Sequence, residues 1–287
     1  MTAIPHTRPV DLQLGLIGDN IAASQSPRLH RLAGAFNGMR VDYASLVPAQ
    51  EGADFPTLFD RARQAGYRGL NITYPYKEKV VPMVEVSAEL ARLGAVNTVI
   101  FEPGGPRGHN TDFTGFMAAY RGLRGGNPPG AVALIGTGGV GRAVAFGLGS
   151  LGASGIHLVD RDTAKAEVMA AELQAAFPEV RISVHADASE AARGASGVVN
   201  CTPVGMVGYP GTPLPRAAMK GAEWAFDAVY TPVDTQFLQD AAAAGLKVIS
   251  GYELFFFQGV HAWAHFAGKP LDQSRLRSDL LSHGEDE

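Results

Sequence analysis

Short apolar runs and longer segments of helical period alternate along this chain of 287 residues. The apolar runs are rich in Val, Ile and Leu, which is typical of strands that are covered on both faces of a parallel sheet. A helix between successive strands is the connection that such a sheet needs. The pattern therefore predicts an α/β fold.

The first part of the chain is predicted to contain strands at 13–18, 41–47 and 69–73, helices at 26–37 and 55–64, and a hairpin around residues 103–106. Ser26 is a suitable cap for the first helix, with Pro27 at the first helical position. A cluster of Gly and Pro at 125–130 then marks a boundary or a loose connection.

A second run of alternation begins at Ala131. Its predicted strands lie in the segments AVALIG, IHLVD, RISVHA, GVVNCTP, WAFDAVY and KVISG, and a helix follows each of the first two. Parallel strands covered by helices in this order predict a Rossmann-type, doubly wound unit. The remainder, from 252 to about 282, reads as two helices that have no strand partners, so we expect them to pack on the first part of the chain.

The composition excludes several classes of protein. With 46% hydrophobic residues, a net charge of -4 and a pI near 6.1, the chain lacks the basic surface of a general nucleic-acid binder. No apolar run reaches the roughly 18 residues of a membrane span, and residues 1–13 lack the layout of a signal peptide. The single cysteine, Cys201, excludes an internal disulfide. These features favour a cytoplasmic protein without nucleic-acid or membrane partners.

A glycine-rich loop connects the first strand of the second part to the following helix. Its residues are Gly136, Thr137, Gly138, Gly139, Val140 and Gly141. Between a strand and a helix, such glycines let backbone N–H groups and the helix N-terminus approach a pyrophosphate. The alternative is a tight turn that binds nothing, but the strand, the helix and a following acidic residue together favour a bound dinucleotide.

The acidic residue is Asp160, at the end of the segment IHLVD. A carboxylate at this position can accept both ribose hydroxyls and would repel a 2′-phosphate. Two like charges about 4 Å apart cost on the order of 4 kcal/mol at an effective dielectric constant near 20. NAD is therefore the favoured cofactor. NADP is the alternative, because Arg161 and Lys165 are cations that could offset the repulsion.

A group of polar residues precedes the glycine loop. They are Asn71, Thr73, Lys77, Asn97 and Asp112, which we expect in turns at strand ends. A lysine, an aspartate and neutral hydrogen-bond donors can together move a proton on a polyhydroxylated molecule. The substrate half of the chain is therefore expected to precede the cofactor half.

Spaced motifs occur in a fixed order over nearly the full chain. They are Ser24 to Pro27 with His30, NITYPYK at 71–77, GAVNT at 94–98, GHNTD at 108–112, GTGGVG at 136–141, NCTPVGM at 200–206, Tyr230 with Pro232, and Gly251 with Gln258. Taken together, these motifs resemble those of the shikimate/quinate dehydrogenases. One motif alone would be weak, but their number and order make the resemblance specific.

The resemblance implies reversible hydride transfer between a nicotinamide ring and the carbon that carries a secondary alcohol, as in shikimate and 3-dehydroshikimate. Lys77 would be the general acid/base, and Asp112 its partner, orienting the ammonium and binding a hydroxyl. A salt bridge that only joins two loops is the structural alternative. The implied organisation is a substrate-binding catalytic domain at 1–112, completed by 252–287, and a dinucleotide-binding domain at 113–251.

The resemblance also implies further contacts. Ser24 and Ser26 would bind the substrate carboxylate, helped by the N-terminus of the helix at Pro27. The remaining implied substrate contacts are Thr73, Asn97, Tyr230 and Gln258. The residues implied on the nicotinamide side are Asn200, Thr202, Ala228 and Gly251.

Departures from the family pattern at Arg31, Tyr74, Ser250, Tyr252 and Glu253 leave the substrate open. Ser26, in place of a bulkier threonine, favours shikimate over quinate, with quinate as a second substrate. A dedicated quinate or aminoshikimate dehydrogenase is the alternative, and from another class a non-catalytic NAD-binding regulatory protein. The presence of both Lys77 and Asp112 speaks against the latter.

No metal is expected. His261 and His265 are four residues apart in a predicted helix, but no third ligand accompanies them. Cys201, at the end of an apolar strand, is expected to be a core residue and not a nucleophile. A small-molecule substrate is the expected partner, and the chain is expected to be a monomer or a homodimer.

Overall fold

Residues 9–282 are described by a computed structural model, in which strands and helices alternate as the sequence pattern predicts. The strands are β1 Leu12–Ile17, β2 Val41–Leu46, β3 Gly69–Ile72, β4 Thr98–Glu102, β5 Gly105–His109, β6 Ala131–Ile135, β7 Gly155–Val159, β8 Arg181–His185, β9 Gly197–Asn200, β10 Trp224–Asp227 and β11 Lys247–Ile249. The helices are α1 Ser26–Phe36, α2 Phe55–Gln64, α3 Ala88–Leu93, α4 Thr111–Arg124, α5 Gly139–Ser150, α6 Thr163–Ala176, α7 Ala188–Ala191, α8 Gln236–Ala243, α9 Gly251–Ala267 and α10 Gln273–Ser282. The predicted α/β class is confirmed.

The chain divides into two units. The first unit runs to Leu90 and includes Val96–His109 and the chain from Gly259 onward, and the second contains Ala91–Ala95 and Asn110–Gln258. The domain boundaries at 112 and 252 stay a prediction from the sequence. The first eight of the residues considered for a signal peptide lie outside the described part of the chain.

The first unit contains a five-stranded mixed sheet in the order β2-β1-β3-β4-β5. The strand β1 pairs in parallel with β2 and β3, and the strands β3, β4 and β5 run antiparallel. Its core packs Leu14 and Tyr43 from the sheet against Trp263 and Phe266 of α9. The C-terminal part of the chain thus supplies large side chains to the core of the first unit.

Two helix starts in this unit follow different rules. Asp54 caps α2, since its side chain accepts a hydrogen bond from the N–H of Thr57. The expected Ser26 cap of α1 is wrong: Gln25 occupies the cap position without a side-chain hydrogen bond, and Ser26 is the first helical residue. The Ser24 hydroxyl instead accepts from the N–H of Ser26 at 3.3 Å. This contact satisfies a helix N–H that the cap residue leaves unpaired.

The second unit contains a six-stranded parallel sheet in the order β11-β10-β9-β6-β7-β8. The strand order reverses between β6 and β9, which is the Rossmann topology that the sequence predicts. Ligands of such sheets bind beyond the carboxyl ends of the strands at this reversal. The glycine loop follows β6 directly, and the segment beginning at Cys201 follows β9.

Four helices, α3, α4, α7 and α8, were not predicted from the sequence. In α4 two glycines, Gly115 and Gly122, weaken the helical pattern because glycine is a poor helix former. The helix begins at a cap that the sequence does contain, since the Asn110 side chain accepts from the N–H of Phe113 at 2.9 Å. Within residues 9–282, no helix is both long and apolar enough to cross a bilayer.

Candidate active site

The loop after β3 carries Lys77 and is fixed at several points within the first unit. The N–H of Thr73 donates to the carbonyl of Ile17 at 2.9 Å, and the carbonyl of Lys77 accepts from the N–H of Val96 at 2.8 Å. Between these anchors the Tyr76 hydroxyl donates to Asp19 at 2.7 Å. The lysine backbone is therefore held on both sides, at the carboxyl end of β3.

The ring of Tyr76 adds a further anchor to the same loop. It stacks on Phe55 of α2 with centroids 4.5 Å apart and planes 4° apart. The ammonium of Lys79 lies 5.2 Å from the centroid of this ring. The hydrogen bond to Asp19 raises the pKa of the Tyr76 phenol to about 12, so the phenol remains a donor at neutral pH.

Asn71 and Asn97 belong to one buried polar network in the first unit. Asn71 lies within β3 and not in the turn that we expected, and it pairs with Thr98 across the antiparallel strands. Its Nδ2 donates to the Thr98 hydroxyl at 3.2 Å and to the carbonyl of Asn97 at 3.4 Å. Its Oδ1 accepts from the hydroxyl of Tyr43 at 2.8 Å.

Tyr43 is a member of this network that was not predicted from the sequence. Its signal was present, since Val41 and Tyr43 are the buried positions of an alternating strand while Asp42 is exposed. A tyrosine at an inward position must find a partner for its hydroxyl, so it marks buried polar groups nearby.

Asp112 was expected in a turn at a strand end, but it lies in the first turn of α4, where it is buried. A carboxylate at this position is stabilised by the positive end of the helix dipole. One turn later, Gly115 lies against Gln258: a Cβ at Gly115 would be 2.8 Å from the Gln258 backbone nitrogen. The helix that carries Asp112 therefore packs against the segment that carries Gln258.

The predicted contacts Tyr230 and Gln258 share one neighbour in the second unit. The ring of Tyr230 stacks on Phe255 with centroids 5.3 Å apart, and Gln258 Nε2 donates to the carbonyl of Phe255 at 2.9 Å. Burial raises the pKa of the Tyr230 phenol. The tyrosine hydroxyl is therefore neutral at physiological pH.

The predicted residues are divided between the units. Lys77, Ser24, Ser26, Thr73 and Asn97 lie in the first unit. The second unit contains Asp112, Tyr230, Gln258 and the whole of the predicted cofactor set.

The glycine loop has the geometry that close approach of a phosphate requires. Gly136 has a φ of 98°, which favours glycine, and a Cβ there would lie 2.8 Å from the backbone of Cys201. A Cβ at Gly141 would overlap the carbonyl oxygen of Gly136. A Cβ at Gly138 would have no heavy atom within 4 Å. The packing of the protein thus requires glycine at 136 and 141, whereas the space beside Gly138 is open.

The open space beside Gly138 lies at the N-terminus of α5. Gly138 occupies the cap position and has no side chain to bond the first helical N–H groups. Such a helix end attracts an anion through its N–H groups and its dipole. The residues present therefore fit the diphosphate of a dinucleotide.

Asp160 is held beside the glycine loop by three donors. Its Oδ2 accepts from the N–H and from the hydroxyl of Thr137, both at 2.7 Å, and its Oδ1 accepts from the N–H of Asp162 at 3.0 Å. Burial raises the pKa of Asp160, but these hydrogen bonds and the cation of Lys165 lower it by a larger amount. The pKa therefore lies below its usual value, and the carboxyl is ionised. Two donors fill Oδ2, which leaves Oδ1 as the oxygen with room for another hydroxyl.

A buried acid that was not predicted from the sequence bonds directly to Asn200, one of the predicted nicotinamide-side residues. Asp227, at the end of β10, accepts from Asn200 Nδ2 at 2.9 Å, from the N–H of Val229 at 3.0 Å and from the Thr235 hydroxyl at 2.5 Å. Asn200 Oδ1 in turn accepts from the hydroxyl of Thr202 at 2.7 Å. The sequence does contain a signal for Asp227, and it is the one used for Asp160: an acidic residue at the end of an apolar strand.

The backbone that follows β10 also explains why residue 251 is a glycine. A Cβ at Gly251 would lie 2.6 Å from the carbonyl oxygen of Ala228 and would overlap that of Val229.

Burial raises the pKa of the Cys201 thiol, which disfavours a thiolate nucleophile. Among the described residues, no group of three His, Cys, Asp or Glu side chains is arranged to hold a metal ion.

Comparison with known proteins gives matches along nearly the whole chain. Residues 16–99 match the family model of the shikimate dehydrogenase substrate binding domain. The chain is 41% identical over 281 residues to a quinate/shikimate dehydrogenase (NAD(+)) of Corynebacterium efficiens, with 94% of this chain and 97% of the relative covered. It is 38% identical over 274 residues to a shikimate dehydrogenase (NADP(+)) of Pseudarthrobacter chlorophenolicus, with 93% and 94% covered.

Solved structures give the same result. Quinate dehydrogenase from Corynebacterium glutamicum in complex with NAD has a TM-score of 0.88 at 35% identity, with 94% of this chain and 99% of that chain covered. Shikimate 5-dehydrogenase from Thermus thermophilus in complex with NADP(H) and shikimate has a TM-score of 0.81 at 33% identity, with 93% and 97% covered.

The Rossmann sheet, its glycine loop and the similarity to these enzymes define an NAD(P)-dependent oxidoreductase. Within that class, the chain belongs to the shikimate/quinate dehydrogenase family. The resemblance inferred from the spaced motifs is thereby confirmed.

Proposed function

We propose that the protein is an NAD-preferring dehydrogenase that reversibly oxidises the secondary alcohol of shikimate to 3-dehydroshikimate and also accepts quinate. The observation that carries this proposal is the 41% identity, over 94% of the chain, to a quinate/shikimate dehydrogenase (NAD(+)). The ionised Asp160 beside the glycine loop supports the choice of NAD.

The cofactor would be held by residues of the second unit. The N–H groups at the start of α5 and the open space at Gly138 would take the diphosphate, and Asp160 Oδ1 would accept a ribose hydroxyl. The Asp160 carboxylate repels a 2′-phosphate, and Arg161 and Lys165 offset part of that repulsion. When bound, NAD supplies the acceptor for the hydride.

The proton would be handled by Lys77 with Asp112. As the alcohol carbon loses its hydride, the hydroxyl proton must leave, and in the proposed mechanism Lys77 Nζ accepts it. Asp112 binds the reacting or an adjacent hydroxyl and orients the ammonium group. In the reverse direction Lys77 returns the proton to the carbonyl oxygen.

The rest of the substrate would be bound by neutral donors. Ser24 and Ser26, at the start of α1, would hydrogen-bond the carboxylate with help from the helix N-terminus. Thr73, Asn97, Tyr230 and Gln258 would bind the ring hydroxyls. Quinate differs from shikimate by one more hydroxyl and the absence of a double bond, so both rings present a carboxylate and several hydroxyls to this set.

Replacement of Lys77 tests the acid–base assignment. We expect Lys77→Ala to lower kcat by roughly 10² or more, the scale of general acid/base catalysis, without weakening NAD binding. Lys79→Ala is the matched control, since Lys79 is an exposed lysine in the same loop. The test is to measure kcat and the NAD dissociation constant for the unmodified protein, Lys77→Ala and Lys79→Ala. Full activity of Lys77→Ala would remove Lys77 from the mechanism.

A further inference from the structure

The buried network around Asn71 has a single direction of hydrogen-bond donation. A phenol carries one proton, and the Tyr43 hydroxyl donates it to Asn71 Oδ1 at 2.8 Å. Because Oδ1 is the acceptor end of that amide, Nδ2 is the end that donates to the Thr98 hydroxyl at 3.2 Å. The orientation of one amide is therefore set by the tyrosine.

The direction continues to Asn97. A threonine hydroxyl that accepts from Asn71 still has its own proton, and Thr98 donates that proton to Asn97 Oδ1 at 3.1 Å. The chain thus runs from Tyr43 through Asn71 and Thr98 to Asn97. With its oxygen bonded to Thr98, the amide of Asn97 is oriented so that its NH₂ end points away from the chain.

The surroundings keep this chain rigid and its donor protonated. All four side chains are buried, and Tyr43 is only 3% exposed. The ring of Tyr43 stacks on His30 with centroids 5.3 Å apart and planes 7° apart. Burial raises the pKa of the Tyr43 phenol, although a hydrogen bond with Ser26 and the cation of Arg31 act in the opposite direction. Buried polar chains of this kind are costly to leave partly satisfied.

We propose that Tyr43, Asn71 and Thr98 are positioning residues that present the amide of Asn97 as a hydrogen-bond donor to a ring hydroxyl of the substrate. This inference rests on the proposed function, which makes Asn97 a substrate contact. A substrate hydroxyl would then meet an N–H donor and act as acceptor, while its own proton is directed elsewhere. The assignment gives β2 and β4 a part in substrate recognition.

Two substitutions break the chain at its ends without changing shape. Tyr43→Phe removes the first donor together with the hydrogen bond to Ser26, and it retains the stacking on His30. Thr98→Val removes the last donor at nearly constant volume and does not touch Ser26. We expect each to raise the KM and the dissociation constant for shikimate about tenfold, the scale of one well-placed hydrogen bond, and to change kcat less. The NAD dissociation constant should not change.

The chain also predicts how the substitutions combine. Because both act on the same amide, the effect of the double variant Tyr43→Phe/Thr98→Val should fall well short of the product of the two single effects, which independent sites would give. Thr98→Ser retains the hydroxyl and should restore shikimate affinity. Tyr67→Phe, a loss of a phenol hydroxyl elsewhere in the first unit, is the matched control and should have no effect.

The outcomes separate this inference from the proposed function. Absence of turnover by the unmodified protein with every carboxylate substrate would overturn the proposed function, and the inference with it. If the unmodified protein turns over shikimate, unchanged shikimate affinity in both single variants would overturn the inference alone. A fall in melting temperature without a change in KM would show that the chain only stabilises the fold. If Thr98→Val does not fold, Thr98→Ala, which also removes the donor to Asn97, decides the question.

Discussion

At the scale of single residues, the glycine loop shows which features serve the fold and which would serve a ligand. Gly141 cannot carry a Cβ because the Gly136 carbonyl occupies its place, and Gly136 needs a positive φ. Gly138 has neither constraint, since its φ of -70° suits any residue and the space around it is open. The protein alone gives no reason for glycine at 138.

Gly138→Ala should therefore weaken NAD binding without destabilising the protein. A methyl group in the space taken by the diphosphate costs about 1–3 kcal/mol as overpacking, which corresponds to a rise of roughly tenfold or more in the NAD dissociation constant. Titration with NAD and thermal unfolding measure the two effects. Gly122→Ala, in an open position of α4, is the control and should leave NAD binding unchanged. Normal NAD affinity in Gly138→Ala would contradict the proposed diphosphate site.

Several site residues could be predicted from the sequence because each sits beside a recognisable local signal. Gly136 and Asp160 follow strands whose apolar character is unmistakable, and the loop with Lys77 follows another. Tyr43 and Asp227 were missed because their roles depend on partners far away in the chain, such as Asn71 and Asn200. A sequence pattern shows that such a side chain is buried, but not which group it bonds.

At the scale of elements, Asp227 ties together the loops that follow β9 and β10. Its partners are the side chain of Asn200, the backbone of Val229 and the hydroxyl that caps α8, that of Thr235. Burial raises the pKa of Asp227 from 3.8 to about 6, although the three hydrogen bonds lower it. The same loops contain Thr202 and Ala228, two of the predicted nicotinamide-side residues, so their geometry depends on one buried acid.

The raised pKa of Asp227 predicts the direction in which the free energy of unfolding changes with pH. Between pH 4 and 6 the folded protein holds a proton on Asp227 that the unfolded chain has lost, so this group lowers the free energy of unfolding as the pH rises through that window. The full effect is about 3 kcal/mol. Asp227→Asn keeps the shape and removes the titration. Chemical denaturation from pH 4 to 7 should show the wild type losing stability relative to the variant by up to that amount.

An identical pH dependence of wild type and Asp227→Asn would contradict this account of the buried acid. Asp234→Asn, the loss of an exposed carboxylate close by in the chain, is the control and should behave like the wild type.

The elements themselves were mostly predictable, and the exceptions have physical causes. The helix α2 was predicted at its observed bounds because its cap, its proline and its apolar face agree. The helices α3, α4, α7 and α8 were missed because short length or internal glycines weaken their periodicity. Their stability comes from packing, as for α4, where Phe116 and Tyr120 are fully buried.

At the scale of the whole molecule, the buried His30 and four less buried histidines contribute to the response to acid. Burial lowers the pKa of His30 to about 3 and that of His109 to about 4, and it also lowers the pKa of His157, His261 and His265. The unfolded chain binds protons on these groups below about pH 6.5, whereas the folded protein does not. Their stabilising effect is therefore complete above pH 6.5 and is lost as the pH falls below it.

His30→Phe tests this response at the most deeply buried histidine. Phe retains a ring beside Tyr43 and cannot be protonated, so the variant should lose less stability than the wild type on acidification. The difference should reach about 2 kcal/mol between pH 6.5 and 5. Denaturation at both pH values measures it, with His185→Gln as a less buried control. Equal losses in wild type and His30→Phe would show that His30 does not contribute.

The central claim is that this chain oxidises a hydroxylated ring acid and prefers NAD as the hydride acceptor. The most direct test is the steady-state kcat/KM for shikimate and for quinate, each with NAD and with NADP, followed by the absorbance of the reduced nicotinamide. We predict turnover of both acids, a higher value for shikimate, and for each acid a higher value with NAD than with NADP. Absence of turnover by a protein that still binds NAD would contradict the claim, and a preference for NADP would contradict the role given to Asp160.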